Sequence, residues 1–145
     1  MTAQLNAFAK TRQDHASEIS EDYVEVIYRL SRAMDCFAQS GLVRTMDVVK
    51  ELQVAQPTVT KVLSRLEREG LIHVLPRQGI ELTVTGKALA KKSMARHELV
   101  LRWLKSVGVS DQMADLDAEG IEHHLSDESL AAIENHLNRS ASNSD

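Results

Sequence analysis

The sequence is poor in cysteine, in aromatic residues and in long apolar runs. Cys36 is the single cysteine among 145 residues, which excludes an intrachain disulfide and a multi-thiolate metal cluster. Aromatic residues make up 3% and hydrophobic residues 43%, a balance that favours a helical protein packed with Leu, Val, Ile and Ala over a β-sandwich. The N-terminus lacks the apolar segment of a signal peptide, and no run approaches the roughly 18 apolar residues of a membrane span. We therefore expect a soluble, cytoplasmic protein without membrane contact.

The net charge of -4 is unevenly distributed along the chain. Residues 1–40 carry -2, residues 41–96 carry +5 and residues 97–145 carry -7. A basic segment is typical of a surface that contacts phosphate groups. The charge pattern therefore predicts a nucleic-acid-binding middle and a separate role for the acidic end.

The hydrophobic periodicity predicts a mainly α fold. Residues 1–18 are polar and aperiodic, so we expect a flexible extension there. The first helix is expected to begin at an N-cap near Ser20 and to end before Gly41. The predicted domains are a winged helix-turn-helix DNA-binding domain over 19–86, a helical metal-binding and dimerisation domain over 87–139, and a flexible tail over 140–145.

The middle of the chain carries the helix-turn-helix pattern. A short helix capped by Thr45 is followed by a turn over 53–55 and a second helix that starts near Gln56. Two predicted strands, 71–75 and 80–83, come directly afterwards and form the hairpin of a wing. Many such turns carry Gly at the position of Gln53, so we expect either backbone strain of roughly 1 kcal/mol at this turn or a differently wound turn.

The second helix of this motif pairs an apolar stripe with a polar, basic face. Short polar groups near a helix N-terminus suit contacts with base edges, and flanking cations suit phosphates. An ordinary solvated helix face has a similar composition, but a basic-tipped hairpin following this helix favours DNA. The predicted DNA-binding residues are Gln56, Pro57, Thr58, Thr60, Lys61, Arg65 and, at the wing tip, Arg77.

Three further helices are predicted after the wing. Thr83 or Thr85 caps a long helix that runs to about Ser106. Ser110 and Ser126 cap the two helices that follow, over roughly 111–124 and 127–138.

Six candidate metal ligands combine carboxylate and imidazole donors. Glu119, Glu122 and His123 share one face if they lie on a regular helix, because they are spaced i, i+3 and i+4. Hard oxygen donors with some imidazole suit Mn(II) or Fe(II). Solvated carboxylates and a packed histidine are the alternative, which spacing alone leaves open. The six candidates are Asp22, Glu25, His97, Glu119, Glu122 and His123.

Several segments resemble the diphtheria toxin repressor (DtxR) family, and in particular its manganese-responsive branch. These segments are Ser20–Tyr28, Pro57–Lys61, Leu82–Gly86, Arg96–Leu99 and Asp117–His124, and the resemblance covers about residues 17–138. It implies a homodimer that binds operator DNA and two Mn(II) ions per subunit, held by the six candidate ligands. Members of the iron branch carry Met and Cys in place of Asp22 and Glu119, so the oxygen donors here favour Mn(II), with Fe(II) as the alternative ion.

The function implied by this resemblance is repression of manganese uptake genes when Mn(II) is bound. A regulator of the multiple-antibiotic-resistance type is one rival, and it would bind DNA best without its organic ligand. A di-metal carboxylate enzyme on a four-helix bundle is another, but it needs two Glu-x-x-His motifs that these ligands do not form. We therefore expect no catalytic residues.

Overall fold

The computed structural model describes residues 2–36 and 42–142. The expected mainly α fold, with a helix-turn-helix followed by a hairpin, is confirmed. None of the described helices combines the length and the apolar composition that crossing a bilayer requires. The elements are α1 (Thr2–Cys36), α2 (Thr45–Leu52), α3 (Gln56–Arg68), β1 (Ile72–Leu75), β2 (Gly79–Leu82), α4 (Val84–Ser106), α5 (Asp111–Ile121), a 3-10 turn (Glu122–His124) and α6 (Asp127–Ser142).

The chain divides into two compact units. We call residues Ile19–Lys92 the winged unit, because they contain α2, α3 and the hairpin. The remaining residues, Met1–Glu18 and Ser93–Asp145, form the helical unit. The sequence predicts a domain change at residues 86 and 87, within the first turn of α4.

The first helix differs from its prediction. It begins at Thr2 and not near Ser20, so residues 2–18 of the predicted flexible extension are helical. The polar composition suggested a flexible segment. The segment is helical because it contains neither Pro nor Gly and because polar residues on a helix can pair with one another. Lys10 pairs with Asp14 one turn later at 2.5 Å, and its ammonium group also lies 3.3 Å from the carbonyl oxygen of His124. The predicted end of this helix falls outside the described residues.

The winged unit has one apolar core. Val24 and Ile27 of α1 pack with Val48 of α2, with the buried stripe of α3 and with the inner face of the hairpin. The strands pair antiparallel, with Ile72 opposite Leu82, and Val43 extends the sheet through a bridge to Ile80. The wing is therefore fixed to the helix-turn-helix by both backbone pairing and apolar packing.

The joints of the winged unit are local and specific. Gln53 takes the left-handed conformation, with φ 53° and ψ 39°, which confirms the strain expected in this turn. The N-cap residue of α2 is Arg44 and not the predicted Thr45, which is the first residue of the helix. Asp47 accepts a hydrogen bond from the backbone N–H of Arg44 at 2.8 Å. Thr83 is the residue that caps α4, since its hydroxyl accepts the N–H of Gly86 at 3.0 Å.

The helical unit confirms two predicted caps and corrects one helix end. Ser110 accepts the N–H of Met113 at 3.4 Å, and Ser126 accepts the N–H of Ser129 at 3.2 Å. The α-helix between them ends at Ile121, so the last part of the predicted helix is a 3-10 turn. α6 continues to Ser142, beyond the predicted start of the tail, and the rest of that tail falls outside the described residues. The core of this unit consists of Val100, Leu104, Ala114, Ala118 and Leu130.

Candidate DNA interface and metal centre

The exposed face of α3 carries most of the residues predicted to contact DNA. Val59, Leu63 and Leu66 are buried and orient the helix against the core. Because these three residues face the core, the positions between them in the first two turns of the helix point to the opposite side and are exposed. The exposed positions are Gln56, Pro57, Thr58, Thr60 and Lys61.

Arg65 differs from the other predicted DNA contacts. Its side chain is 33% exposed, and its guanidinium donates a hydrogen bond to the hydroxyl of Ser20 at 2.9 Å. The carboxylate of Glu69 lies 3.3 Å from Arg65 Nε and accepts a hydrogen bond from the same Ser20 hydroxyl at 3.2 Å. Arg65 therefore links α3 to α1, and a contact with DNA stays a prediction.

The wing presents Arg77 at its tip. This residue is exposed and takes a φ of 61°, which is uncommon for a side chain other than Gly. Arg77 lines a cavity of about 330 Å³ beside the wing. Arg44, which the sequence analysis did not single out, lines this cavity too. Two guanidinium groups therefore border one groove of the winged unit.

His97 lies between two carboxylates of α5 in the helical unit. Its Nε2 lies 3.0 Å from Asp115 Oδ1, and its Nδ1 lies 3.1 Å from Glu119 Oε2. Asp115 and Glu119 are four residues apart and therefore neighbours on the helix surface. The structure thus brings two predicted ligands, His97 and Glu119, together and adds a third residue that the sequence analysis missed.

Glu122 and His123 are the most enclosed of the predicted ligands, with side chains 2% and 1% exposed. The Oε1 of Glu122 accepts from the hydroxyl of Ser93 at 3.1 Å and lies 3.0 Å from His123 Nε2. Its Oε2 accepts from Arg96 Nε at 2.8 Å. Burial alone would raise the pKa of Glu122, but the hydrogen bonds and charges of His123 and Arg96 outweigh it and lower this pKa below its ordinary value. The carboxylate is therefore ionised, the form that binds a cation.

The other two predicted ligands belong to the winged unit. Asp22 is half-buried on α1, and Glu25 is buried and forms an ion pair with Arg29 one turn later. The structure thus brings together His97 with Glu119, and Glu122 with His123. All six donors are carboxylate oxygens or imidazole nitrogens, a set whose chemistry fits Mn(II) or Fe(II).

The sequence contained a usable signal for each missed residue of the helical unit. Ser93, Arg96 and His97 are spaced i, i+3 and i+4 on α4, which puts them on one face of the helix. Asp115 precedes Glu119 by one helical turn. These spacings could have identified the neighbours of the ligands, although not which atoms meet.

Two family models together match most of the chain. Residues 15–80 match the iron dependent repressor N-terminal DNA binding domain, and residues 83–144 match the iron dependent repressor metal binding and dimerisation domain. The transcriptional regulator MntR of Escherichia coli O6:H1 is 42% identical over 129 residues, which cover 89% of this chain and 79% of that relative. The HTH-type transcriptional regulator MntR of Bacillus subtilis (strain 168) is 35% identical over 113 residues, covering 78% and 75% respectively.

A solved structure supports the same assignment. It is described as a manganese-dependent transcriptional repressor in complex with manganese, and it matches with a TM-score of 0.66 at 25% identity. The match covers 81% of this chain and 52% of that chain, so the present chain spans about half of its length. The similarity to MntR regulators confirms the resemblance found in the sequence. The chain belongs to the iron-dependent repressor family, whose members are transcriptional regulators and not enzymes.

Proposed function

We propose that this chain is a Mn(II)-dependent transcriptional repressor that switches off manganese uptake genes when the metal is bound. The observation that carries the proposal is the pairing of His97 with Glu119 and of Glu122 with His123, both in the unit that matches a metal-binding domain. The relatives named MntR and the neighbour described as bound to manganese support this choice of ion. Acting on chromosomal DNA places the proposed repressor in the cytoplasm.

The proposed metal ligands are the six residues predicted from the sequence. Asp22 and Glu25 complete the set, and together the four carboxylates offer enough oxygen donors for two divalent ions per subunit. A bound cation would act as a fixed positive charge that relieves the repulsion between these carboxylates. The chain's own contribution at Glu122 is to hold this carboxylate ionised.

The proposed DNA interface is the exposed face of α3 together with the wing. Thr58, Thr60 and Lys61 are placed near the start of α3, where a recognition helix reads base edges. Arg77 and Arg44 border a groove in which a DNA phosphate would meet two cations. This arrangement supports binding to double-stranded operator DNA.

The proposed active form is a homodimer. The helical unit matches a metal-binding and dimerisation domain, and α5 exposes two apolar side chains, Met113 (49%) and Leu116 (62%). A dimer reads two half-sites separated by about one helical turn of DNA or a multiple of it. Metal then controls repression to the extent that it binds the DNA-competent arrangement more tightly than the other one.

A duplex selected from a random-sequence pool in the presence of Mn(II) provides the test. We expect the wild type to bind it about 5- to 150-fold more tightly with Mn(II) than with a chelator, the usual range of such coupling. Glu122→Ala should lose this dependence, whereas Glu134→Ala, at an exposed position on α6, should retain it. Parallel titrations with Fe(II) measure the alternative ion. Equal, metal-independent binding by the wild type and Glu122→Ala would contradict the proposal.

A further inference from the structure

The carboxylate of Glu122 is already occupied by groups of this chain. Its Oε1 meets Ser93 Oγ and His123 Nε2, and its Oε2 meets Arg96 Nε. An ionised carboxylate has about four lone-pair sites, so these three contacts use most of its capacity. A metal ion that binds Glu122 must therefore either use the remaining site beside these partners or displace one of them.

Two of these contacts come from the same face of α4 but differ in charge. Ser93 is fully buried and neutral, so its hydroxyl can support Glu122 whether or not a cation is present. Arg96 is 15% exposed and permanently charged. Its guanidinium balances the buried carboxylate, which is the electrostatic role that a bound cation would also take.

We propose that Arg96 is an internal competitor of the metal, a positioning residue that holds Glu122 in the metal-free protein and thereby sets the Mn(II) concentration at which the regulator responds. This inference rests on the proposed function, because it assigns Glu122 to the metal. Two positive groups beside one carboxylate repel each other, so the metal bears the cost of displacing or tolerating the guanidinium. A neutral residue at position 96 removes that cost and weakens the charge compensation of the metal-free carboxylate.

Removing a residue that merely supports a metal ligand is expected to change the metal affinity in the opposite direction. Removal of an outer partner of a metal ligand typically weakens metal affinity 10- to 100-fold. Competition instead predicts tighter binding after removal. The direction of the change therefore decides between the two roles of Arg96.

The experiment uses the full chain, and the free Mn(II) signal in electron paramagnetic resonance gives the Kd. Arg96→Gln should bind Mn(II) at least tenfold more tightly than the wild type, equivalent to about 1.4 kcal/mol. Its thermal midpoint without metal should be lower, and its rise on adding Mn(II) should be larger. Ser93→Ala removes a neutral partner of the same carboxylate, so its Mn(II) binding should weaken, opposite in direction to Arg96→Gln. Arg102→Gln, at an exposed position of α4, should match the wild type in both measurements.

The outcomes separate this inference from the proposed function. Wild-type protein that fails to bind Mn(II) would overturn both. Wild-type protein that binds Mn(II) while Arg96→Gln binds it equally or less tightly would overturn the competition alone. If Arg96→Gln does not fold, Arg96→Met takes its place, since it keeps a long side chain but removes the charge. It should bind at least threefold more tightly, and unchanged or weaker binding would again overturn the competition.

Discussion

Replacing Arg65 with alanine tests whether this residue contacts DNA or holds the winged unit together. The sequence pattern assigns it to the DNA-binding face, whereas its guanidinium bonds to the hydroxyl of Ser20 and lies beside Glu69. Lys61 lies on the same helix, is exposed, and provides the matched comparison. We expect Arg65→Ala to reduce stability and Lys61→Ala to reduce DNA binding.

The magnitude follows from the two contacts of Arg65. The hydrogen bond from the charged guanidinium to the Ser20 hydroxyl would contribute about 1.5–3 kcal/mol if buried, and we take about 1 kcal/mol because the side chain is a third exposed. The pair with Glu69, at 3.3 Å and a third exposed, adds about 0.5 kcal/mol after solvent screening. The loss should therefore be about 1.5 kcal/mol, or roughly 5 °C in the unfolding midpoint for a chain of this size. Lys61→Ala should change stability by less than about 0.5 kcal/mol.

DNA binding measured at several salt concentrations completes the test. Each phosphate contact contributes about -0.9 to the slope of log K against log salt concentration, so Lys61→Ala should make the slope shallower by about that amount per bound subunit. Arg65→Ala should leave the slope of the folded protein unchanged at a temperature well below its midpoint. A variant of Arg65 that unfolds like the wild type and loses about one unit of slope would show that this structural assignment is wrong.

Three further predictions concern stability. Gln53→Gly should stabilise the chain by roughly 0.5 kcal/mol in chemical denaturation, because the relief of about 1 kcal/mol of left-handed strain exceeds the entropy cost of Gly. Gln53→Ala, which keeps a Cβ, should show no gain in the same assay. Gly86→Ala should destabilise the chain by about 3 kcal/mol, because the new Cβ would lie 2.0 Å from the carbonyl oxygen of Leu71; a wild-type urea midpoint would contradict this. Because the pKa of Glu122 is lowered in the folded protein, its ionised carboxylate stabilises the metal-free fold at pH values above the ordinary pKa of Glu, about 4.3. This contribution is lost as the pH falls through the pKa of the folded state. The stability difference between wild type and Glu122→Gln should therefore be full at pH 7 and shrink below about pH 4; a constant difference in acid titrations would refute it.

Much of the fold was predictable because it depends on local rules. The apolar stripe of α3, the caps Ser110 and Ser126, and the hairpin turn each follow from residues within one or two turns of one another. The first helix was mispredicted because its polar start carries no periodic apolar signal. The contacts of this polar segment are made by charged and polar groups. An example is the contact between the ammonium group of Lys10 and the carbonyl oxygen of His124, more than 100 residues away in sequence.

The sequence by itself determined the chemistry of the chain: which donors are available, that none of the candidate ligands is a thiolate, and where the basic and acidic segments lie. Composition and spacing are sufficient for this, because charge and donor type belong to the residue and helical neighbours are set by the 3.6-residue period. Only the tertiary structure decided which groups meet, as with Arg96 and Glu122 or Arg65 and Ser20. These pairs are separated by 26 and 45 residues, and only folding brings such distant side chains within hydrogen-bond distance.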